Sequence, residues 1–136
     1  MTDDKQKEYI QKIKQTLTLL FVEDEEMVKE ASLKSLRRRF KEIYTASDGK
    51  GGLELYIKFK PDIVLTDLLM PKHDGLELIK HIREIDKTVP IVVISAISDE
   101  ASLKMAKKYI IQGYFIKPIN EDQFLDHLYR LSVELL

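Results

Sequence analysis

The chain has 136 residues, with 22 Lys and Arg against 23 Asp and Glu, a net charge of −1, and 44% hydrophobic against 33% charged residues. That predicts one globular domain, large enough to bury a core without disulfides or metals and too near neutrality for a nucleic-acid surface. The absence of cysteine excludes a thiol nucleophile, a disulfide framework and a Cys-ligated zinc.

No apolar run approaches the roughly 18 residues of a membrane span. Residues 1–15 also lack the apolar core of a signal peptide, so the expected setting is the cytoplasm. Those residues are polar, with Tyr9, Ile10 and Ile13 at helical spacing leading to Leu17. They read either as a short amphipathic helix packed on the domain or as a solvated leader. Leu17–Val22 is a nearly all-apolar run that stops abruptly at Glu23-Asp24-Glu25-Glu26, the pattern of a strand covered on both faces.

Residues 26–39 predict a helix with Val28, Ala31 and Ser35 on one small-residue face, broadened by Leu33, Leu36 and Phe40. Arg37-Arg38-Arg39 falls in its expected last turn, where cations favour the helix dipole. Ile43–Ala46 reads as a second strand and Ser47-Asp48-Gly49 as a turn. In the next helix Gly51 and Gly52 weaken the start, while Leu53, Tyr56, Ile57 and Phe59 supply an apolar side. Pro61 ends it, and residues 62–67 read as the third strand.

Asp74 followed by Glu77 resembles a capping box, which opens a helix with Leu78, Ile82 and Ile85 as its buried stripe. Ile91–Ser95 is the fourth strand, residues 99–109 a helix and Tyr114–Ile116 a short fifth strand. Asn120 with Gln123 caps a last helix that runs to the end of the chain.

Five β-α units in succession demand a parallel sheet with helices on both faces. The fold class is therefore α/β, a (βα)5 three-layer sandwich whose five strands fit the flavodoxin-like order 2-1-3-4-5. Sites in such sheets lie outside the carboxyl ends of the strands, at the switch between strands one and three. The chemically interesting side chains fall at those ends: Glu23 and Asp24 after strand one, Asp67 after strand three, Ser95 after strand four and Lys117 after strand five. Three converging carboxylates repel one another, so a proton or a cation must join them. A hard, oxygen-seeking divalent ion answers that repulsion. With a lysine beside it, the pocket suits holding a phosphoryl group against a carboxylate nucleophile.

The runs Leu20-Phe21-Val22-Glu23-Asp24-Glu25, Lys60 to Asp67, Met70-Pro71-Lys72-His73-Asp74-Gly75 and Gly113-Tyr114-Phe115-Ile116-Lys117-Pro118 together resemble the receiver domain of two-component response regulators, of the chemotaxis-regulator kind. The resemblance covers about residues 16–135, leaving residues 1–15 as an N-terminal extension to a receiver domain at 16–136. It implies that Asp67 is the phosphoacceptor, taking a phosphoryl group from a phosphohistidine of a sensor histidine kinase or phosphotransfer protein. It implies that Asp24 binds Mg²⁺ (or Mn²⁺) directly and Glu23 mainly through water, with Asp67 and the Leu69 backbone carbonyl completing the protein ligands. Lys117 would pair with the phosphoryl oxygens, Ser95 would hydrogen-bond to them, and Tyr114 would change rotamer with Ser95. Pro118 would follow a cis peptide bond from Lys117.

Position 23 departs from the family's usual Asp by one methylene. Leu69 and Ile97, at positions that face the attacking water, offer no side chain to orient it, so unassisted hydrolysis should not be fast. The expected function is a phosphorylation-driven switch, not a conventional enzyme, that catalyses only its own phosphorylation and dephosphorylation. Its output would pass from the surface of the 99–109 helix, the fifth strand and the last helix to a partner or an output domain, or to a second copy on phosphorylation.

Other readings fit less well. A phosphatase using an aspartyl-phosphate would need a general acid two residues past the nucleophile, where Leu69 stands. A flavin or nucleotide binder would need a Gly- or Ser/Thr-rich phosphate loop where Glu-Asp-Glu-Glu follows strand one. A silent scaffold of this fold would not need the intact acidic set. His73, His81 and His127 share no ligand spacing and read as surface residues, and Glu25 and Glu26 as helix N-terminal charges. Lys104, Lys107 and Lys108 read as a solvated face or a docking surface.

Overall fold

A computed structural model of the chain describes residues 3–70, 75–96 and 100–136. The elements in order are α1 (Asp3–Thr16), β1 (Thr18–Val22), α2 (Glu26–Leu36), β2 (Glu42–Ala46), α3 (Gly49–Phe59), β3 (Ile63–Asp67), α4 (Gly75–Ile85), β4 (Ile91–Ser95), α5 (Glu100–Lys107), β5 (Gly113–Ile116) and α6 (Glu121–Leu135). All neighbouring strands pair in parallel, in the order β2-β1-β3-β4-β5. The expected fold class and strand order are both observed.

Side chains alternate across a strand, so each apolar strand feeds two cores. Leu20, Val22, Val64 and Val93 meet α3, α4 and α5 through Tyr56, Leu78, Ile79, Ile82, Leu103 and Ala106. Leu19, Phe21, Leu65 and Ile94 meet α2 and α6 through Leu33, Leu36, Phe124 and Leu128. β3 and β4 are buried at every position, which is why their sequences show no polar alternation.

The N-terminal extension forms α1, whose Ile13 is buried in the second core. The Lys14 ammonium donates to the Arg37 carbonyl, and β1 begins at Thr18 rather than Leu17. Asp62 fixes that start, accepting from the Thr18 backbone N–H at 2.8 Å and from its hydroxyl at 3.2 Å.

α2 turns a different face inward than its small residues suggested. Lys29, Leu33 and Leu36 are its buried positions, while Ala31 is exposed and Val28 and Ser35 are half-buried. Larger side chains remove more apolar area from water, so they decide which face docks. The helix stops at Leu36, leaving Arg37–Arg39 in the turn beyond it. In α3, Tyr56 is buried while Ile57 and Phe59 are exposed, Phe59 stacking on Tyr44 with ring centroids 4.2 Å apart.

Asp48 caps α3 by accepting from the Gly51 N–H at 2.7 Å, and Asn120 caps α6 by accepting from Gln123 N–H at 3.1 Å. The expected Asp74 cap lies outside the described residues. No helix among them is long and apolar enough to cross a membrane.

On α4 the expected stripe also shifts. Ile85 is 53% exposed, and Arg83 is buried in its stead with Leu78, Ile79 and Ile82. The Arg83 guanidinium satisfies backbone acceptors that an isoleucine could not. It donates to the carbonyls of Tyr109 (2.8 Å), Ile110 (2.7 Å) and Asp86 (3.2 Å), and to the Gln112 amide oxygen at 3.2 Å. That amide oxygen also accepts from the Ile91 N–H at 2.7 Å. Arg83 thus ties α4 to the α5–β5 connection, where Ile110 has a left-handed φ of 60°. Arg83→Met strands these part-buried acceptors and should lower unfolding stability by about 2 kcal/mol, within the range for polar groups left without a partner. Urea denaturation of both proteins measures it.

Candidate functional site

β1 and β3 are adjacent in the sheet, with Val22 opposite Thr66, so the residues that follow them share one edge. Glu23, Asp24 and Asp67 each offer a carboxylate oxygen, and these atoms all lie within 4.8 Å of one another. β5 brings Lys117 to the same edge through Ser95, whose carbonyl accepts the Lys117 N–H at 2.9 Å. The Lys117 ammonium bridges Glu23 Oε1 at 3.0 Å and Asp67 Oδ2 at 2.8 Å. Four charged side chains from three separated stretches of the sequence therefore meet in one cup.

Each carboxylate is differently held. Glu23 is fully buried, and its second oxygen accepts the Asp24 N–H at 3.1 Å. Asp67 is buried, its Oδ1 accepting the Leu69 N–H at 3.2 Å, while Asp24 is half-buried. Burial pushes the Glu23 carboxyl up to about 7, the hydrogen bond from Lys117 opposing this and Asp67 reinforcing it. Burial also disfavours the Lys117 charge, but its bonds to Asp67 and Glu23 outweigh that and hold the ammonium above the ordinary lysine range.

A carboxyl that binds its proton more tightly folded than unfolded stabilises the fold below the unfolded pKa, and the benefit fades as pH rises through the folded value. In chelator, unfolding stability relative to Glu23→Gln should therefore fall between about pH 4.5 and about pH 7. Denaturant titrations across that window check this; parallel curves for the two proteins would contradict it.

Helix α4 presses on β3. A methyl built on Gly75 would lie 1.8 Å from the Asp67 carbonyl oxygen and 2.9 Å from Leu68 Cα, and the Gly75 N–H donates to the Leu68 carbonyl at 2.8 Å. Gly75 is a functional position that the motif Met70-Pro71-Lys72-His73-Asp74-Gly75 contains without revealing its role. The available signal was a glycine opening an apolar helix, a costly choice unless a close approach demands it.

The remaining candidates fall around this cup. Ser95 is buried and its hydroxyl donates to the Ala96 carbonyl at 3.1 Å. Tyr114 is 44% exposed, with the Lys107 ammonium 4.4 Å from its ring centroid. The Lys117–Pro118 peptide bond is cis. Leu69 is exposed beside the cup, whereas Ile97 and His73 lie outside the described residues.

His81 is exposed between Glu77 and Glu84, at 3.5 and 3.7 Å. His127 is not a surface residue: it is half-buried, with Nε2 2.8 Å from the Gln112 carbonyl oxygen and its ring edge-on to Phe115. A helix that closes over an edge strand buries even its polar inward positions. Lys104, Lys107 and Lys108 are exposed.

The family model described as "Response regulator receiver domain" matches residues 19–129. Chemotaxis protein CheY of Halobacterium salinarum is 31% identical over 108 residues, covering 79% of this chain and 90% of that protein. Transcriptional regulatory protein CseB of Streptomyces coelicolor is 33% identical over 102 residues, 75% of this chain but 43% of CseB. The chain thus spans less than half of that longer regulator. Among solved structures, the N-terminal domain of an uncharacterized protein from Wolinella succinogenes superimposes with a TM-score of 0.80 at 29% identity, covering 85% of this chain and 94% of that one. Sequence, fold and the acidic edge agree, and the chain belongs to the response regulator receiver domain family of two-component systems.

Proposed function

We propose that the chain is a phosphoacceptor switch in which Asp67 takes a phosphoryl group from a phosphohistidine of a sensor histidine kinase or phosphotransfer protein. The observation that carries this reading is the Lys117 ammonium seated between the Asp67 and Glu23 carboxylates at 2.8 and 3.0 Å. It offsets part of the negative charge around the acceptor and stands ready for phosphoryl oxygens.

In the transfer, an Asp67 carboxylate oxygen forms the new bond to phosphorus while the bond from phosphorus to the donor imidazole nitrogen breaks, and the imidazole takes a proton from water. Asp67 is oriented for this by the Leu69 N–H on Oδ1 and by Lys117 on Oδ2. Lys117 and the Ser95 hydroxyl then hold the phosphoryl oxygens, the kind of preorganised donors that dominate phosphoryl chemistry.

The donor set fits a hard divalent cation. It is all oxygen, and three carboxylates against one ammonium leave an excess of negative charge. Asp24, Asp67 and the Leu69 carbonyl would hold Mg²⁺ (or Mn²⁺), with Glu23, whose oxygens are both engaged, acting through water. When bound, the ion supplies positive charge to the phosphoryl oxygens.

Phosphorylation adds about two negative charges at Asp67. Ser95 is drawn toward them, Tyr114 follows, and the α5–β5–α6 surface changes. That surface exposes Met105, Ile110, Tyr114 and Ile116, with Lys104 and Lys107 on α5, Lys108 in the turn after it, and Asp122 and Asp126 on α6. Opposite charge on its two flanks suits pairing with a second copy about a two-fold axis, or docking a downstream protein or output domain. With Leu69 and Ile97 unable to orient water, the modification outlives a rapid signal. The chain turns over no separate metabolite, and it works in the cytoplasm with its kinase.

Incubation with a small phosphodonor and Mg²⁺, followed by intact mass, tests the reading. One added phosphoryl group is expected, absent in Asp67→Asn and without Mg²⁺; labelling at another residue would overturn it.

A further inference from the structure

Lys107 is the last residue of α5, whose Leu103 and Ala106 are buried in the core. Its ammonium lies over the Tyr114 ring, 4.4 Å from the centroid, and no carboxylate among the described residues pairs with it. Tyr114 sits opposite Val93 in the β4–β5 register, two residues before the Ser95–Ile116 pair. Its ring is part-exposed at the edge of the sheet, whereas the buried Ser95 hydroxyl is turned to its own loop carbonyl. A cation over an aromatic face favours the rotamer that keeps it there.

We propose that Lys107 is a positioning residue that latches Tyr114 in its outward rotamer, so that its cation sets how much of the unphosphorylated protein already occupies the signalling arrangement. This rests on the reading that Asp67 is the phosphoacceptor and that Tyr114 moves inward with Ser95. A phosphoryl group must pull Tyr114 away from the Lys107 charge before α5 and β5 present their altered surface. A ligand's apparent affinity scales with the populated fraction of the state it prefers. Loosening the latch should therefore both shift the ring and tighten binding of a phosphoryl mimic. The strength typical of an exposed cation–π contact corresponds to about a two- to five-fold change.

The experiment uses fluorotyrosine-labelled protein, with the Tyr114 resonance assigned through Tyr114→Phe. It is read without phosphodonor, then titrated with beryllofluoride at fixed Mg²⁺. Lys107→Gln is expected to move the Tyr114 signal toward its beryllofluoride-bound position and to bind beryllofluoride about two- to five-fold more tightly. Lys107→Arg should restore wild-type behaviour, because a guanidinium also stacks on the ring. Lys104→Gln removes the same charge from the same helix and should change neither readout.

An unchanged Tyr114 resonance in Lys107→Gln, or an equal shift in Lys104→Gln, overturns the latch. Failure of wild-type Asp67 to take up a phosphoryl group by intact mass overturns instead the reading beneath it.

Discussion

Lys117→Met should cut the rate of phosphoryl incorporation about 100-fold, the loss typical of removing one preorganised donor to developing charge. It should also destabilise the metal-free protein. Methionine keeps most of the lysine's apolar stem but leaves Glu23 and Asp67 buried with no counter-charge. Breaking such a pair costs about 3 kcal/mol or more when the remaining charge cannot escape, but here escape exists. Burial already pushes the Glu23 carboxyl up to about 7, and without the opposing hydrogen bond from Lys117 it would hold its proton to higher pH still. The loss should therefore be large at pH 8 in chelator, smaller at pH 5, and reduced by millimolar Mg²⁺, which no longer competes with the ammonium. Denaturant titrations at the two pH values, with and without Mg²⁺, separate these contributions. Equal stability loss under all conditions would show that Lys117 acts by packing alone.

Gly75→Ala is expected to be the most damaging single methyl in the molecule. Its Cβ would fall 1.8 Å from the Asp67 carbonyl oxygen and 2.8 Å from the carbonyl carbon. Both are backbone atoms of a central strand paired on each side, so no flexible side chain can yield. Either the first turn of α4 moves outward, losing the Gly75–Leu68 hydrogen bond, or β3 shifts and carries Asp67 with it. Overpacking of this severity costs about 3 kcal/mol or more, and a displacement of roughly 1 Å at the acceptor would slow transfer about 100-fold. Thermal unfolding and the intact-mass time course measure the two effects. Gly51→Ala, where the nearest atom is the Asp48 carboxylate oxygen at 3.3 Å, is the control and should retain transfer.

The strands were legible because β1, β3 and β4 are sealed on both faces, which forces apolar runs without alternation, and because each run stops at a charged or polar residue. Those stopping residues, Glu23, Asp67, Ser95 and Lys117, were legible as a site for the same reason: parallel topology sends every strand's end to one edge. Asn120 announced its helix because capping is local chemistry, settled within four residues. Helix faces were harder. Periodicity marks an apolar stripe but not which flank of it meets the sheet, so Ile85 was expected where Arg83 is buried, and Ala31 where Lys29 is. His127 reads as a surface residue in the sequence because nothing near it foretells the Gln112 carbonyl.

By itself the amino-acid order determined the β-α rhythm, the sheet's connectivity and the kinds of side chain gathered at its carboxyl edge, since each follows from local patterning and a few rules of chain handedness. Only the tertiary structure decided that Lys117 bridges Glu23 and Asp67, that Gly75 must lack a side chain, and that Lys107 covers Tyr114. The first joins residues far apart along the chain, and the other two depend on how a connection folds back against the sheet. Packing sets them, and no local pattern encodes them.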